Sequence, residues 1–485
     1  MMSFAHIADT HLGHRQYGLK QREEDMAASL RAAIVEMVDR RSADAIVLAG
    51  DLFHSRDLRP KILHQAERIL ERVPGDIPVV VSRGNHDENL TPRDLTWLNY
   101  LHERELIILL QADLEADTEV AHFEPYDPAD PGVHAGFYDL ESEGLSGPIR
   151  FFGLQWRGAR TDQALQQVAA GVEGVNKEYG APAFTVLLAH FGIEDEVPTL
   201  GATITHHELD DLQQHIDYLA LGHIHKRYDA HGWVFNPGSP EMHSTREGHP
   251  EWEHGYYTVT LSPTTSEEGD SPRRIDVAHH QTKRRPYYRI TFEVTEYQSP
   301  GQLVGAFRSH IDDEADAVRA HCQQPPFMTD GALRAPLIDL RFTGTLQFAR
   351  REFPTEELST YARKTLDAIH VRENDGGMRT ATVQRLLKDL DEEDLFIGGR
   401  LNTEALERQV FEIIASDSRF GAHREAVAAL LSDAHRMAQG NEAIEDIRDV
   451  VASTRRDLFP EMTADVSVDV PDDPLLDTDK SGRTT

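Results

Sequence analysis

Phe4-Ala5-His6-Ile7-Ala8-Asp9-Thr10-His11 is a short apolar run that breaks on an Asp-x-His pair. Four more runs end in the same manner. Ala45-Ile46-Val47-Leu48-Ala49 leads into Gly50-Asp51-Leu52-Phe53-His54, and Val79-Val80-Val81-Ser82 leads, after Arg83, into Gly84-Asn85-His86-Asp87. Val186-Leu187-Leu188-Ala189 stops on His190, and Tyr218-Leu219-Ala220-Leu221 stops on Gly222-His223-Ile224-His225. Runs of this length and composition read as strands. Further strands are expected at 106–110, 150–154, 234–236 and 256–261. Between the runs, Met26, Leu30, Ile34, Met37 and Val38 recur at helical spacing, as do residues over 62–73, 95–102, 161–175 and 209–215. Strands alternating with helices predict a layered α/β domain. In such sheets the loops at strand C-termini form the ligand crevice, so residues more than 200 positions apart can converge. The converging types are His, Asp and Asn without Cys, a donor set suited to Mn, Fe or Zn. Gly50 and Gly84 are expected to let the backbone turn sharply into the site.

The 485 residues hold 83 acidic and 49 basic side chains, a formal charge of −34. This length suggests two to four domains. No apolar run approaches the ~20 residues of a membrane span. A lone Cys322 excludes an intramolecular disulfide framework and a cysteine-rich zinc module. The N-terminus has neither a basic n-region nor an apolar h-region, so the expected setting is cytoplasmic. Eight lysines stand against 41 arginines, and the acids are spread along the chain. That texture resembles proteins of halophilic archaea. At molar salt the Debye length is only about 3 Å, so the net charge does not argue against a nucleic-acid ligand.

Residues 262–285 are polar and read as a linker. A compact α+β unit is expected next, with strands at 288–294 and 337–343 and helices at 303–310 and 356–370. An acidic break at 389–394 precedes amphipathic stretches over 403–416, 424–437 and 441–453. From 463 the chain is acidic and is expected to lack fixed structure. His206, His207, His215, His279 and His280 read as surface-loop residues, and His14 lies near the first motif.

Asp-x-His, Gly-Asp-x-x-His, Gly-Asn-His-Asp, a lone His and Gly-His-x-His, in this order, resemble the calcineurin-like metallophosphoesterases. Gly50-Asp51-Leu52-Phe53-His54, with His6 to Gly13 and Asn236-Pro237-Gly238-Ser239-Pro240, resembles the meiotic recombination eleven family of double-strand-break repair nucleases, which includes bacterial SbcD. The resemblance implies a layered metallophosphoesterase β-sandwich with flanking helices over 1–261, a small α+β DNA-capping domain over 286–372, a helical ATPase-binding region over 395–460 and an acidic tail over 463–485. It implies two Mn2+ ions per subunit, bridged by Asp51. Asp9, His11 and His225 would complete one metal site; Asn85, His190 and His223 would complete the other. His86 would be the general acid, His54 a phosphate contact and Asp87 an orienter. Implied partners are DNA ends and a coiled-coil ABC-type ATPase, with nucleoid association and no membrane. The implied activity is Mn-dependent 3′–5′ exonuclease and single-strand endonuclease. A homodimer through 62–73 and 95–102 is also implied, with Leu95, Trp97, Leu98 and Leu101 as its apolar residues. Alternatives are a phosphatase or cyclic phosphodiesterase on the same centre, or mainly a DNA-end scaffold.

Overall fold

The computed structural model describes residues 2–88, 95–114, 118–142, 145–197, 204–249, 251–262, 274–327, 334–380, 396–397, 400–401, 411, 415, 423–439, 448, 450–454 and 458. The chain opens with β1 (Met2–Ile7), α1 (Lys20–Asp39), β2 (Ala45–Ala49), α2 (Pro60–Leu70), β3 (Val79–Ser82), α3 (Trp97–Glu103) and β4 (Ile108–Leu109). It continues with β5 (Phe137–Leu140), β6 (Ile149–Gly153), α4 (Thr161–Tyr179), β7 (Phe184–His190), α5 (Asp210–Gln213), β8 (Tyr218–Gly222), β9 (Tyr228–Ala230) and β10 (Val234–Asn236). It then returns through β11 (Gly255–Ser262) and β12 (Arg274–Gln281).

Two six-stranded sheets result, ordered β12-β11-β1-β2-β3-β4 and β5-β6-β7-β8-β10-β9. β1 to β4 run parallel, as do β6, β7, β8 and β10. Within each parallel set the C-terminal ends therefore share one edge. β2, β3, β6, β7 and β8 are buried along their whole length. Continuous apolar runs are what strands covered on both faces require.

The layers are visible in the apolar clusters. Met2, Phe4, Val47 and Val80 meet Phe151, Val186, Leu188 and Tyr218 between the sheets. Phe4 lies edge-on to Phe151 and Tyr218, with centroids 5.7 and 5.2 Å away. Leu30, Ile34 and Met37 of α1 cover the outer face of the first sheet, with Ile62, Ile69, Leu98 and Leu101. Leu165, Val168 and Val172 of α4 cover the second. The fold is mixed α/β, two multi-strand sheets flanked by helices.

Three readings need correction. Residues 274–281 are not linker but edge strand β12, paired antiparallel with β11 from Ser262↔Arg274 to Gly255↔Gln281. Ile275 and Val277 pack on the inter-sheet core, but Arg, Asp and His between them hide the alternation. His279 and His280 are consequently half-buried strand residues, and burial lowers His279 to about 4. Leu98 and Leu101 are fully buried against their own sheet, whereas Leu95, Trp97 and Tyr100 of that segment are 62, 37 and 36 % exposed.

The chain divides into two compact units, residues 1–293, 300–342 and 354–377 in one and 294–299, 343–353 and 378–485 in the other. Beyond the sandwich, β13 (Tyr287–Glu293), α6 (Pro300–Cys322), β14 (Leu337–Leu346), α7 (Thr355–Thr365) and β15 (His370–Thr380) follow, with sheet order β13-β14-β15. The last helix expected here stops at Thr365, and His370–Thr380 is a strand. Its Asn-Asp-Gly-Gly core reads as a turn from sequence alone. Within the first unit, Arg285 makes a two-pronged ion pair with buried Asp25 at 2.5 and 2.9 Å. Asp25 also receives Arg22 at 2.7 Å, and Arg22 reaches Glu241 at 3.1 Å. The Tyr17 ring stacks on His370, centroids 4.3 Å apart.

The second unit includes β16 (Phe396–Ile397), β17 (Arg400–Leu401) and α8 (Arg424–Gln439), on which Val427 is buried. Most of 403–416 and 441–453, all of 389–394 and the tail from 463 lie outside the described residues. Among the described residues, no helix is long and apolar enough to cross a membrane.

Candidate metal centre

The strand ends deliver their side chains to one place, from both sheets. Asp9 and His11 follow β1, Asp51 and His54 follow β2, and Asn85, His86 and Asp87 follow β3. His190 closes β7, and His223 and His225 follow β8. Nine non-glycine residues among those described have left-handed backbone, and four of them are Asp9, His11, Asp51 and His223. Such backbone costs on the order of 1–3 kcal/mol per residue and concentrates at functional sites. Gly50 shares that conformation, and a Cβ there would collide with the His190 ring. Gly84 differs from the expected turn. Its φ is ordinary, but a Cβ would strike the Asp51 carboxylate, so glycine is needed for space.

Asp51 is central. Its Oδ2 lies 3.2 Å from His190 Nε2 and 3.5 Å from His11 Nε2. Its Oδ1 accepts the backbone N–H of His86 at 2.8 Å. On one side of Asp51, His11 Nε2 and His225 Nε2 face each other at 3.2 Å, with Asp9 Oδ1 at 4.0 and 3.9 Å from them. On the other, Asn85 Oδ1 is 3.0 Å from His223 Nδ1, and Asp9 Oδ1 is 3.9 Å from His190 Nε2. Donors bound about 2.1 Å from one ion at right angles sit about 3.0 Å apart, so this spacing suits metal ligation. Asp9, Asp51 and His190 form one donor group that can hold a cation, and His11 belongs to two others. His190 Nε2 is shielded from solvent and makes no aligned hydrogen bond, while its Nδ1 meets the Ala49 carbonyl at 2.9 Å. A buried imidazole nitrogen facing a carboxylate at this distance is a donor pair that suits a cation.

The electrostatics agree. Burial alone would raise Asp51, but His190, His11 and His86 hold it well below the carboxylate range. Burial would lower His190 and His225, yet Asp51 lifts the first and Glu247 the second to about 9. His223 is lowered to about 4, mainly by burial and then by His190.

The remaining candidates line the same place. His54 Nδ1 is 3.2 Å from His11 Nδ1, and its ring stacks on His86 at 5.1 Å. Burial, His14 and His86 lower it to about 4. His86 Nδ1 donates to the His54 carbonyl at 2.7 Å, which orients the ring and leaves Nε2 as its second nitrogen. Asp87 does not touch the His86 ring. Its carboxylate accepts the backbone N–H groups of Phe53 and Gly84 at 3.1 Å and of Leu52 at 3.4 Å. It clamps two loops together, and burial with Asp51 pushes it up to about 7.

Three residues extend the site beyond the strand-end motifs. Glu247 is buried and meets His225 Nδ1 at 3.2 Å. His243 lies with its ring 4.4 Å from that of His11 and 4.3 Å from that of His225. His14, near the first motif, is hydrogen-bonded through Nδ1 to His54 Nε2 at 2.8 Å. The only sequence signal for Glu247 is Ser244-x-x-Glu247, which reads as a helix-start box rather than a site.

A calcineurin-like phosphoesterase model matches residues 2–227. A DNA double-strand break repair protein Mre11 of Sulfurisphaera tokodaii is 29% identical over 245 residues, 49% of this chain and 53% of that protein. The Mre11 of Saccharolobus solfataricus is 26% identical over 272 residues, 54% of this chain and 61% of that protein. The Mre11 of Archaeoglobus fulgidus is 39% identical over 110 residues, 22% of this chain and 24% of that protein. The chain thus spans about half the length of the first two relatives and less of the third. Residues 2–227, with their convergent Asp, His and Asn side chains, thus match a calcineurin-like phosphoesterase domain, and the chain is similar over about half its length to archaeal Mre11 proteins.

Proposed function

We propose that this chain is a DNA repair nuclease that hydrolyses phosphodiester bonds at DNA ends with two Mn2+ ions. Asp51 would be shared by the two ions; Asp9, His11 and His225 would hold one of them, and Asn85, His190 and His223 the other. Bound dications would supply Lewis acidity to the phosphate and a water of lowered pKa. His54 contacts the scissile phosphate. His86 donates a proton to the leaving oxygen as the P–O bond to it breaks and one to the water oxygen forms. Asp87 positions the loops that carry His54 and His86.

The observation that favours DNA over a small phosphate ester is a cavity of about 680 Å3. Lys226, Arg246, Arg289, Arg341 and Arg372 line it with Trp252, against acidic Glu196 and Glu251. Lys226 follows His225 directly, and Arg246 precedes Glu247. In a chain of net charge −34, such a groove beside the centre suits a phosphate backbone. In this reading residues 286–372 cap the DNA. The assay uses 3′- and 5′-labelled single- and double-stranded DNA in high salt with Mn2+ or Mg2+. Release of 3′-terminal nucleotides and cleavage within single strands, weakened in Arg289→Glu/Arg372→Glu, supports the reading. Hydrolysis of a small chromogenic phosphodiester without DNA cleavage overturns it.

The region from 395, which opens on the strand pair β16 and β17 rather than on the expected helix, is the proposed dock for a coiled-coil ABC-type ATPase, and the exposed face of Leu95, Trp97 and Tyr100 the proposed dimer contact. Truncation after Leu390 should keep single-strand cleavage and abolish ATPase co-purification. Unchanged co-purification moves the dock elsewhere.

A further inference from the structure

His243 is unexplained by the two sites just assigned. Its Nε2 is shielded from solvent and has no hydrogen-bond partner. The ring stands nearly edge-on to His11, at 82°, and tilted at 60° to His225. One donor nitrogen from each of His11, His225 and His243 falls within 4.8 Å of the other two. The grouping adjoins the Asp9, Asp51 and His190 donor group, since His11 Nε2 lies 3.5 Å from Asp51 Oδ2 and 4.0 Å from Asp9 Oδ1. The placement of His243 is not accidental drift of a loop. Its backbone N–H donates to Glu247 Oε2 at 2.7 Å, while Oε1 of the same carboxylate meets His225 Nδ1 at 3.2 Å. Ser244 Oγ adds a third bond to Glu247 at 3.1 Å. One buried carboxylate therefore sets both the His225 ring and the backbone of His243.

We propose that His243 is a third imidazole ligand to the cation held by Asp9, His11 and His225. The inference rests on the two-cation reading above and extends it. With Asp51 the site then offers three nitrogens and two carboxylate oxygens. Such a set favours Mn2+, Fe2+ or Zn2+ over Mg2+, which prefers oxygen ligands and retained water. His243 thereby makes this site the more selective of the two.

The test uses the full-length protein, stripped by chelator and titrated calorimetrically with Mn2+ and with Mg2+. His243→Gln and His243→Ala should each still take up two equivalents of Mn2+. One step should weaken by about tenfold or more, a loss of the size that perturbing a ligand's support causes. Selectivity for Mn2+ over Mg2+ should fall with it, and the visible spectrum of the Co2+ form should change. Parental affinities and a parental Co2+ spectrum in both variants overturn the proposal. A readout without mutation covers the case in which both variants misfold. The Co2+ form of the unaltered protein should show a shifted exchangeable N–H from His243 beside those of His11, His190, His223 and His225, and absence of that signal overturns the proposal. Asp51→Ala separates the two levels. If it leaves both binding steps intact, the two-cation reading fails. If it weakens them while His243 is silent, only the third imidazole is lost.

Discussion

Oε1 of Glu247 lies 3.2 Å from Nδ1 of His225, inside the protein and on the far side of the ring from His11. A carboxylate in this position fixes the imidazole tautomer and raises the basicity of the opposite nitrogen. Glu247→Gln should weaken metal affinity about 10–100-fold, the usual cost of losing such a partner, with little change in fold. Calorimetric titration with Mn2+ checks this. Parental affinity would leave Glu247 a purely structural turn residue.

Asp51→Asn should reduce cleavage below detection and remove at least one equivalent of bound metal. An amide oxygen is neutral and bridges two dications poorly. Elemental analysis of the purified variant, alongside the DNA assay, decides it. Two bound ions with full activity would reject the bridging role.

His86→Asn should lower the cleavage rate by about 10²–10⁴-fold, the range of general acid–base contributions, while metal content and DNA affinity persist. A parallel fall in metal content would make His86 a ligand instead.

Metal binding should depend on pH in a defined direction. His190 and His225 are lifted from 6.5 to about 9, so both carry protons at neutral pH in the metal-free protein. Ligation requires neutral imidazoles, so Mn2+ uptake should release protons and tighten as pH rises toward 9. The same shift stabilises the metal-free fold fully below 6.5, and that stability is lost as pH rises through about 9. Calorimetry in buffers of different ionisation enthalpy measures the protons. No buffer dependence at pH 7 contradicts the assignment.

On the proposed dimer contact, Trp97→Asp should give a folded monomer in light scattering, since Trp97 is exposed on α3 while its Nε1 donates to the Arg56 carbonyl. Leu98→Ala is the contrasting variant. Leu98 is fully buried, so truncation should cost about 2–5 kcal/mol of stability without changing oligomeric state. A dimeric Trp97→Asp protein would remove this face as the contact.

The buried parallel strands were legible because burial on both faces leaves little besides Val, Ile, Leu and Ala, and Ala45–Ala49 and Val79–Ser82 match their runs residue for residue. Edge elements were not. β12 alternates Ile275 and Val277 with Arg, Asp and His, and β15 carries a Gly pair inside a strand. The strand-end motifs pointed to Asp9, His11, Asp51, Asn85, His190, His223 and His225, which the fold brings to one crevice. Glu247 and His243 escaped because they arrive on a short turn between β10 and β11 with no apolar run to announce them. Asp87 shows a different limit. Its position in Gly-Asn-His-Asp is plain, but only coordinates show that its oxygens serve backbone amides rather than the neighbouring ring.

The donors come from both sheets, with Asp9, Asp51 and Asn85 on one and His190, His223 and His225 on the other. No half of the sandwich can assemble the centre alone. On the proposed assignment, a nascent chain that has not yet emerged past His223 has an incomplete ligand set at both sites, so full loading would follow synthesis of nearly half the polypeptide. Once in place, the ions would act as a rivet through the seam between the sheets, and a chelator would loosen the closure of the sandwich as well as silence its chemistry.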